Sequence, residues 1–373
     1  MLLTKGIEVE QYIGDRQGNL IPCSKMLTED WNELTVEPDQ RNIEFITPVF
    51  RDYQHLLKSL LINRHKLRDL LQSHDENWTV IPSSTMAMPF TKEFFFSKPE
   101  DLYHQFIAQE HGLSVVTTSL HFNIGIEDPH ILIRLTNLIR LESSLILALS
   151  ANSPFYDGQV TGYQSYRWQS FPKVPAQFPF FEDLEMYQNW VEYALKEKLI
   201  YNPRHIWTSV RPNGPRKPYE INRLEVRIAD IATSWEKVLA LMAWIELRVQ
   251  SFLRQPELTV EPSDYDLLLN MSDANEAMAA HYGLSGHFSD WYFQEETSQY
   301  QAIQRRLEEG EVLAEELGIS SYLKPIEDIL ENGNEAAQKL ALVQDGYSIA
   351  DIMAEWIEES ELEDLRLVSN LSL

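Results

Sequence analysis

Gly6-Ile7-Glu8-Val9-Glu10 alternates apolar with acidic residues, the period of a strand buried on one face. In an extended chain Ile7 and Val9 leave by one side, Glu8 and Glu10 by the other. Carboxylates this close repel and raise each other's pKa, a cost that a cation, a basic ligand or bulk water must relieve. Alone, the pair also reads as the solvated face of an antiparallel strand. Whether distant segments repeat the pattern decides between the two.

Three segments repeat it. In Asn42–Thr47, Ile43 and Phe45 oppose Asn42 and Glu44, and Pro48 closes the run. In Val115–Ile126, Leu120, Phe122, Ile124 and Ile126 oppose Ser119, His121, Asn123 and Gly125. In Asn222–Ile228, Leu224, Val226 and Ile228 oppose Arg223, Glu225 and Arg227. Strands with one clean apolar face predict an α+β fold with a mainly antiparallel sheet packed on helices. Helices are expected over Arg51–Ser73, Ser97–His111, Leu184–Ile200 and Asp230–Arg254, and from Asp128-Pro129, a cap and first turn, to about Ser150. Asp15-Arg16-Gln17-Gly18 reads as a turn, Trp78–Phe90 as a loop, Ala151–Pro179 as a long aromatic loop and Arg211–Pro218 as a basic loop. The chain is expected to divide into a core, residues 1–255, and an acidic region of short amphipathic helices, 256–373, packed on it.

The 373 residues are 44% hydrophobic and can bury a sizeable core. No apolar run approaches the roughly 18 residues of a membrane span, and no secretory signal opens the chain. A single cysteine, Cys23, excludes an internal disulfide and a cysteine-based zinc cluster and suits a cytoplasmic setting. Against 31 Lys and Arg stand 57 Asp and Glu, a formal net charge of -26. Such a polyanion is a poor ligand for nucleic acid or anionic lipid, both of which need phosphates neutralised by basic residues. A phosphate-bearing ligand therefore requires a local basic cluster or a metal.

The polar faces of the four strands carry Glu8, Glu10, Glu44, His121, Asn123 and Glu225, with Arg223 and Arg227 beside Glu225. Carboxylate-rich oxygen clusters suit hard cations such as Mg2+ or Mn2+, and a nucleotide completes their coordination. Arginines beside them would stabilise charge on a transferring phosphoryl group. The sequence has no Walker-type or Gly-x-Gly-x-x-Gly motif, which disfavours P-loop, kinase and dinucleotide-binding folds. In the aromatic loop Arg167 is the kind of group that grips a carboxylate at two points, with Thr161 and Ser165 as hydrogen-bond donors. The opposing readings are a hydrogen-bonded His121, a salt-bridged Arg223 and an Arg167 stacked on its aromatic neighbours.

These segments together resemble the glutamate-cysteine ligase superfamily, most closely its cyanobacterial type. The resemblance rests on Gly-Ile-Glu-Val-Glu (6–10), Ile-Glu-Phe-Ile-Thr-Pro (43–48), Ser-Leu-His-Phe-Asn-Ile-Gly (119–125), Ala-Leu-Ser-Ala-Asn-Ser-Pro-Phe (148–155), Thr-Gly-Tyr-Gln-Ser-Tyr-Arg (161–167) and Arg-Leu-Glu-Val-Arg-Ile-Ala-Asp (223–230). It implies a glutamine-synthetase-like fold, a curved antiparallel sheet whose polar face forms a funnel. It implies that ATP phosphorylates the γ-carboxyl of L-glutamate and that the amine of L-cysteine displaces phosphate, giving γ-glutamylcysteine and ADP, the first step of glutathione biosynthesis. By motif match Glu8, Glu10, Glu44, His121 and Glu225 would bind magnesium or manganese. Glu10, Glu225 and Arg227 would meet ATP; Glu225, Arg227 and Glu8 would be catalytic. Arg167, Ser165 and Thr161 would hold substrate. Related carboxylate-amine ligases often carry His-x-His where this chain has His121 and Asn123, which loosens the identity of the amine. A ligase for another amine, and a non-catalytic metal-binding interaction protein, are the alternatives. The sequence leaves the oligomeric state open.

Overall fold

The computed structural model describes residues 1–371; the last two residues of the expected C-terminal region lie outside them. Four strands run along the first third of the chain: β1 (Lys5–Asp15), β2 (Thr35–Val36), β3 (Asn42–Ile46) and β4 (Trp78–Ile81). Helices α1 (Ser24–Asp30), α2 (Tyr53–His74) and α3 (Leu102–His111) interleave with them. Next come β5 (Ser119–Gly125), α4 (Pro129–Leu141), α5 (Ser143–Ser150), the hairpin β6 (Phe155–Tyr156) and β7 (Gln159–Val160), α6 (Tyr166–Ser170) and α7 (Leu184–Lys196). Strands β8 (Val210–Asn213) and β9 (Arg223–Asp230) precede the long helix α8 (Trp235–Leu253). The remainder is α9 (Tyr265–Tyr282), a hairpin of β10 (His287–Asp290) and β11 (Glu295–Ser298), and helices α10 (Gln299–Leu317), α11 (Ser320–Asn332), α12 (Glu335–Gln344) and α13 (Ile349–Leu371).

One antiparallel sheet in the order β2-β3-β1-β5-β9-β8 organises the molecule, and β4 extends it beside the far half of β1. Its apolar face is the one the alternation predicts. Ile7, Val9, Ile43, Phe45, Leu120, Phe122, Ile124, Leu224, Val226 and Ile228 are buried in one core with α2, α4, α5 and α8. Removing that much apolar surface from water is the main stabilising term. The opposite face is open over the first half of β1. Beyond it Tyr12 is covered by Met86, Phe155 and residues Ile352, Met353, Trp356 and Ile357 of α13. A register shift in the β5–β9 ladder between Leu120 and Phe122 places a bulge beside His121.

Several elements depart from the expectation. Trp78–Ile81 is a strand, not a loop, and Arg211 lies on β8, not in a loop. The helix from Pro129 is interrupted at Glu142, whose carboxylate bonds Arg248 and Arg306. Asp101, not Ser97, caps α3, accepting from the amides of Tyr103 and His104. The acidic remainder contains the β10–β11 hairpin as well as helices. Buried ion pairs tie those helices to earlier elements: Arg306 with Glu142, Lys237 with Glu335, and Arg64 and Arg68 with Asp364. Among the described residues no helix is long and apolar enough to cross a membrane.

Candidate active site

The sheet register sets the polar face in rows. Glu10 stands opposite Glu44, Glu8 opposite His121, Asn123 opposite Glu225, and Glu225 opposite Arg211. Charge therefore changes across the sheet, from acidic on β3 and β1 to basic on β9 and β8. A cavity of about 610 Å³ lies over these rows, walled by Glu8, Glu10, Glu44 and Glu37 on one side and by Arg204, Arg211, Lys217, Arg223 and Arg227 on the other. A second cavity of about 80 Å³ continues from it beyond Ser119, lined by Thr117, Arg167, Trp168, Phe171 and Thr208. Glu10, Glu37, His121, Trp207 and Arg227 line both, so they mark the passage between them.

Around His121 the contacts are close. Its Nδ1 is 3.1 Å from Glu8 Oε2 and its Nε2 is 3.0 Å from Ser119 Oγ. Ser119 Oγ donates to Glu10 Oε2 at 2.7 Å, and Asn123 Nδ2 donates to Glu8 Oε1 at 3.1 Å. Burial works against the ionised form of Glu8, but the His121 hydrogen bond, with the charge of Arg227, outweighs it and holds this carboxyl below its ordinary value. Glu44 is pushed well above the ordinary range by burial and then by Glu37, Glu8 and Glu10. Burial and Glu10 raise Glu37 to about 8. No lysine or arginine forms an ion pair with Glu10, Glu37 or Glu44 among the described residues.

That unrelieved acid is the observation that tests a metal here. One ligand atom each from Glu10, Glu44 and His121 lies within 4.8 Å of the others. A set of two carboxylates and an imidazole, with Glu8 and Glu37 adjacent, fits a divalent cation that prefers oxygen ligands. Glu225 meets Glu8 and His121 at similar range, and its oxygens also accept hydrogen bonds. Arg211 donates to both at 2.7 and 2.9 Å, Arg227 Nη1 donates at 2.6 Å and Asn213 Nδ2 at 2.6 Å. Burial opposes ionisation of Glu225, yet Arg211 and Arg227 hold it well below the usual carboxylate range. In this structure Glu225 orients two guanidiniums, and with Glu8 and His121 it also offers a ligand atom to a second group that could hold a metal.

The aromatic loop supplies less than expected. Arg167 is buried; its Nε donates to Asp230 at 2.8 Å, and its Nη2 to the carbonyls of Arg227, Ile228 and Ala229. It braces β9 and reaches only the inner cavity. Ser165 donates to Asp230 and caps α6, and Thr161 donates to the Pro154 carbonyl. Neither lines either cavity. Asp230 is the hub: Ser153 and the amide of Asn152 also donate to it, so segments 148–155, 161–167 and 223–230 meet at one carboxylate. Residues the sequence reading did not place here are Glu37, Arg204, Arg211, Asn213, Trp207 and Lys217. The basic loop signalled Arg211 and Lys217; nothing around Glu37 did.

A sequence model described as glutamate-cysteine ligase family 2 matches residues 4–359. The chain belongs to that family. A Gloeobacter violaceus protein named "Putative glutamate--cysteine ligase 2" is 28% identical over 94% of this chain and 95% of its own length. A Solibacter usitatus protein of the same name is 29% identical over 87% and 83%. Among solved structures, the glutamate-cysteine ligase of Francisella tularensis in complex with AMP superposes with a TM-score of 0.74, at 14% identity, over 98% of this chain and 89% of that one. The bifunctional glutathione synthetase of Pasteurella multocida gives 0.76, at 14% identity and 98% coverage, but this chain spans only 53% of it. The superpositions establish a shared fold, and the family match makes this chain a ligase of family 2, with the antiparallel sheet and its polar face in the place expected.

Proposed function

We propose that this ligase joins the γ-carboxylate of L-glutamate to the amine of L-cysteine at the expense of ATP, releasing ADP and phosphate, in the cytoplasm. The observation that carries the reading is the division of the outer cavity into two walls of opposite charge. Among the described residues Glu10, Glu37 and Glu44 form no ion pair with a lysine or arginine, Glu10 meeting only His121, and Arg204 and Lys217 form none with a carboxylate. A polyphosphate bound through a divalent cation satisfies both walls at once, the cation on β1 and β3 and the anion on β8 and β9. The inner cavity, small and walled by Trp168, Phe171 and Trp207, suits an amino acid rather than a nucleotide.

The residues then divide the work. Glu10, Glu44 and His121, with Glu8 beside them, would hold magnesium or manganese, which when bound neutralises charge on the phosphates. Arg227 stands at the passage, its Nη1 fixed by Glu225 and its guanidinium facing both cavities. There it stabilises negative charge as a γ-carboxylate oxygen bonds to the terminal phosphorus and ADP leaves. The amine nitrogen then bonds to the acyl carbon, phosphate departs and the amine gives up a proton. Pre-set hydrogen bonds to Arg211, Arg227 and Asn123 mean that little of the wall needs reorganising. The reading is tested by ADP release with magnesium, glutamate and a panel of amino acids. Dependence on all three with cysteine preferred supports it; turnover without cysteine, or with another amine preferred, rejects the assignment of cysteine.

A further inference from the structure

Lys217 is the single lysine lining the outer cavity. It follows Arg216 in the turn between β8 and β9, is half-buried, and its ammonium has no carboxylate or carbonyl acceptor among the described residues. The groups that face it are mostly cationic: Arg211 from β8, Arg223 and Arg227 from β9, and Arg204 from the segment before β8. Glu225 is the acid nearest in influence, and Arg211 and Arg227 already bracket it. Glu220, in the same turn, pairs with Arg216. Tyr103 and His104 of α3 complete that side of the cavity. Burial first, then Arg211, lowers the Lys217 ammonium to about 7, with Arg227 and Arg223 adding and Glu225 opposing.

The neighbouring guanidiniums cannot release a proton near neutral pH. Lys217 is therefore the cation in this wall whose charge can answer to what enters the cavity. A polyphosphate reverses its surroundings, replacing a field of positive charge with negative charge and favouring the ammonium form. We propose that Lys217, set among four guanidiniums in the cavity wall without an acid partner among the described residues, is a protonation-linked phosphate contact that takes a proton from solvent as a polyphosphate binds and then pairs with it. The proposal rests on the nucleotide reading of the outer cavity. It gives the empty site a less repulsive wall and the filled site a full complement of charge. It also means that nucleotide affinity falls as pH rises through the neutral range, because the bound form holds a proton that the free form has lost.

The test is calorimetric titration of the full chain with the magnesium complex of a non-hydrolysable ATP analogue. Buffers of different ionisation enthalpy turn the heats into a proton count. At about pH 8 the wild type should take up a substantial fraction of about one proton more than Lys217→Arg, and near about pH 6 the two should agree. Lys217→Arg should keep its affinity, while Lys217→Met should lose a factor on the order of ten at about pH 6, where the wild-type lysine is already charged. Equal proton counts for wild type and Lys217→Arg at the higher pH overturn the proposal, as does wild-type affinity in Lys217→Met. Binding by neither wild type nor variants removes the nucleotide reading itself, a result distinct from binding without proton uptake. Should Lys217→Met fail to fold, the comparison with Lys217→Arg still decides.

Discussion

Glu10 and Glu44 face one another directly across the β1–β3 ladder, and among the described residues neither carboxylate is paired with a lysine or arginine. Like charges so placed are destabilising in a sheet. The divalent cation proposed for this cluster would offset that repulsion.

Glu37 and Glu44, both raised, set a pH dependence. Unfolded glutamate titrates near about 4.3, whereas Glu37 in the folded chain titrates at about 8 and Glu44 well above the ordinary range. Between these limits this pair binds more protons in the folded state than in the unfolded one, so its contribution to the stability of the metal-free protein falls as pH rises. Glu8 and Glu225 are depressed, so their contribution is full above the ordinary carboxylate range and is lost only on acidification. In thermal melts in a chelator from about pH 5 to about pH 8, the wild-type Tm should fall relative to that of Glu37→Gln combined with Glu44→Gln as pH rises. A wild-type Tm that does not fall relative to the double variant contradicts the cluster.

Metal binding requires those carboxylates deprotonated. Magnesium or manganese should therefore raise Tm more at about pH 8 than at about pH 6. Glu10→Gln combined with Glu44→Gln should abolish the increment; an increment retained in that variant places the cation elsewhere.

Arg167 and Asp230 are a buried pair, and breaking one partner strands the other. Arg167→Ala should lower stability by about 3–5 kcal/mol, measured by chemical denaturation. Arg167 also lines the inner cavity, and unchanged stability with a raised substrate requirement would make it a substrate contact alone. Thr161→Ala should leave turnover within about two-fold of wild type, since Thr161 lines neither cavity.

Glu225 carries four hydrogen bonds from Arg211, Arg227 and Asn213. Glu225→Gln keeps the shape but leaves two guanidiniums without their charge partner, so turnover and thermal stability should fall together. Loss of turnover with an unaltered Tm would instead favour a direct role for Glu225 in metal binding.

What the sequence disclosed and hid follows from burial. The four strands with one apolar face were legible because alternation survives wherever one side meets the core. In β4, Thr79, Val80 and Ile81 are all buried, so no alternation marks it. The β8 strand was masked by Pro212, tolerated because β8 is an edge strand. In the β10–β11 hairpin only Phe288 and Asp290 are buried, and its acidic composition reads as helix surface. Glu37 follows a strand of two residues, too short to show a period. Arg167 was visible as a residue type but not in its environment, because Asp230 lies 63 positions away in the chain.

In the proposed reaction a substrate carboxylate is activated by phosphoryl transfer at the passage between the two cavities. Glutamate labelled with oxygen-18 in its γ-carboxylate, turned over with ATP, magnesium and cysteine, tests it directly by mass spectrometry of the phosphate released. Activation through an acyl phosphate leaves one labelled oxygen in phosphate for each peptide bond formed; unlabelled phosphate alongside dipeptide product would contradict it.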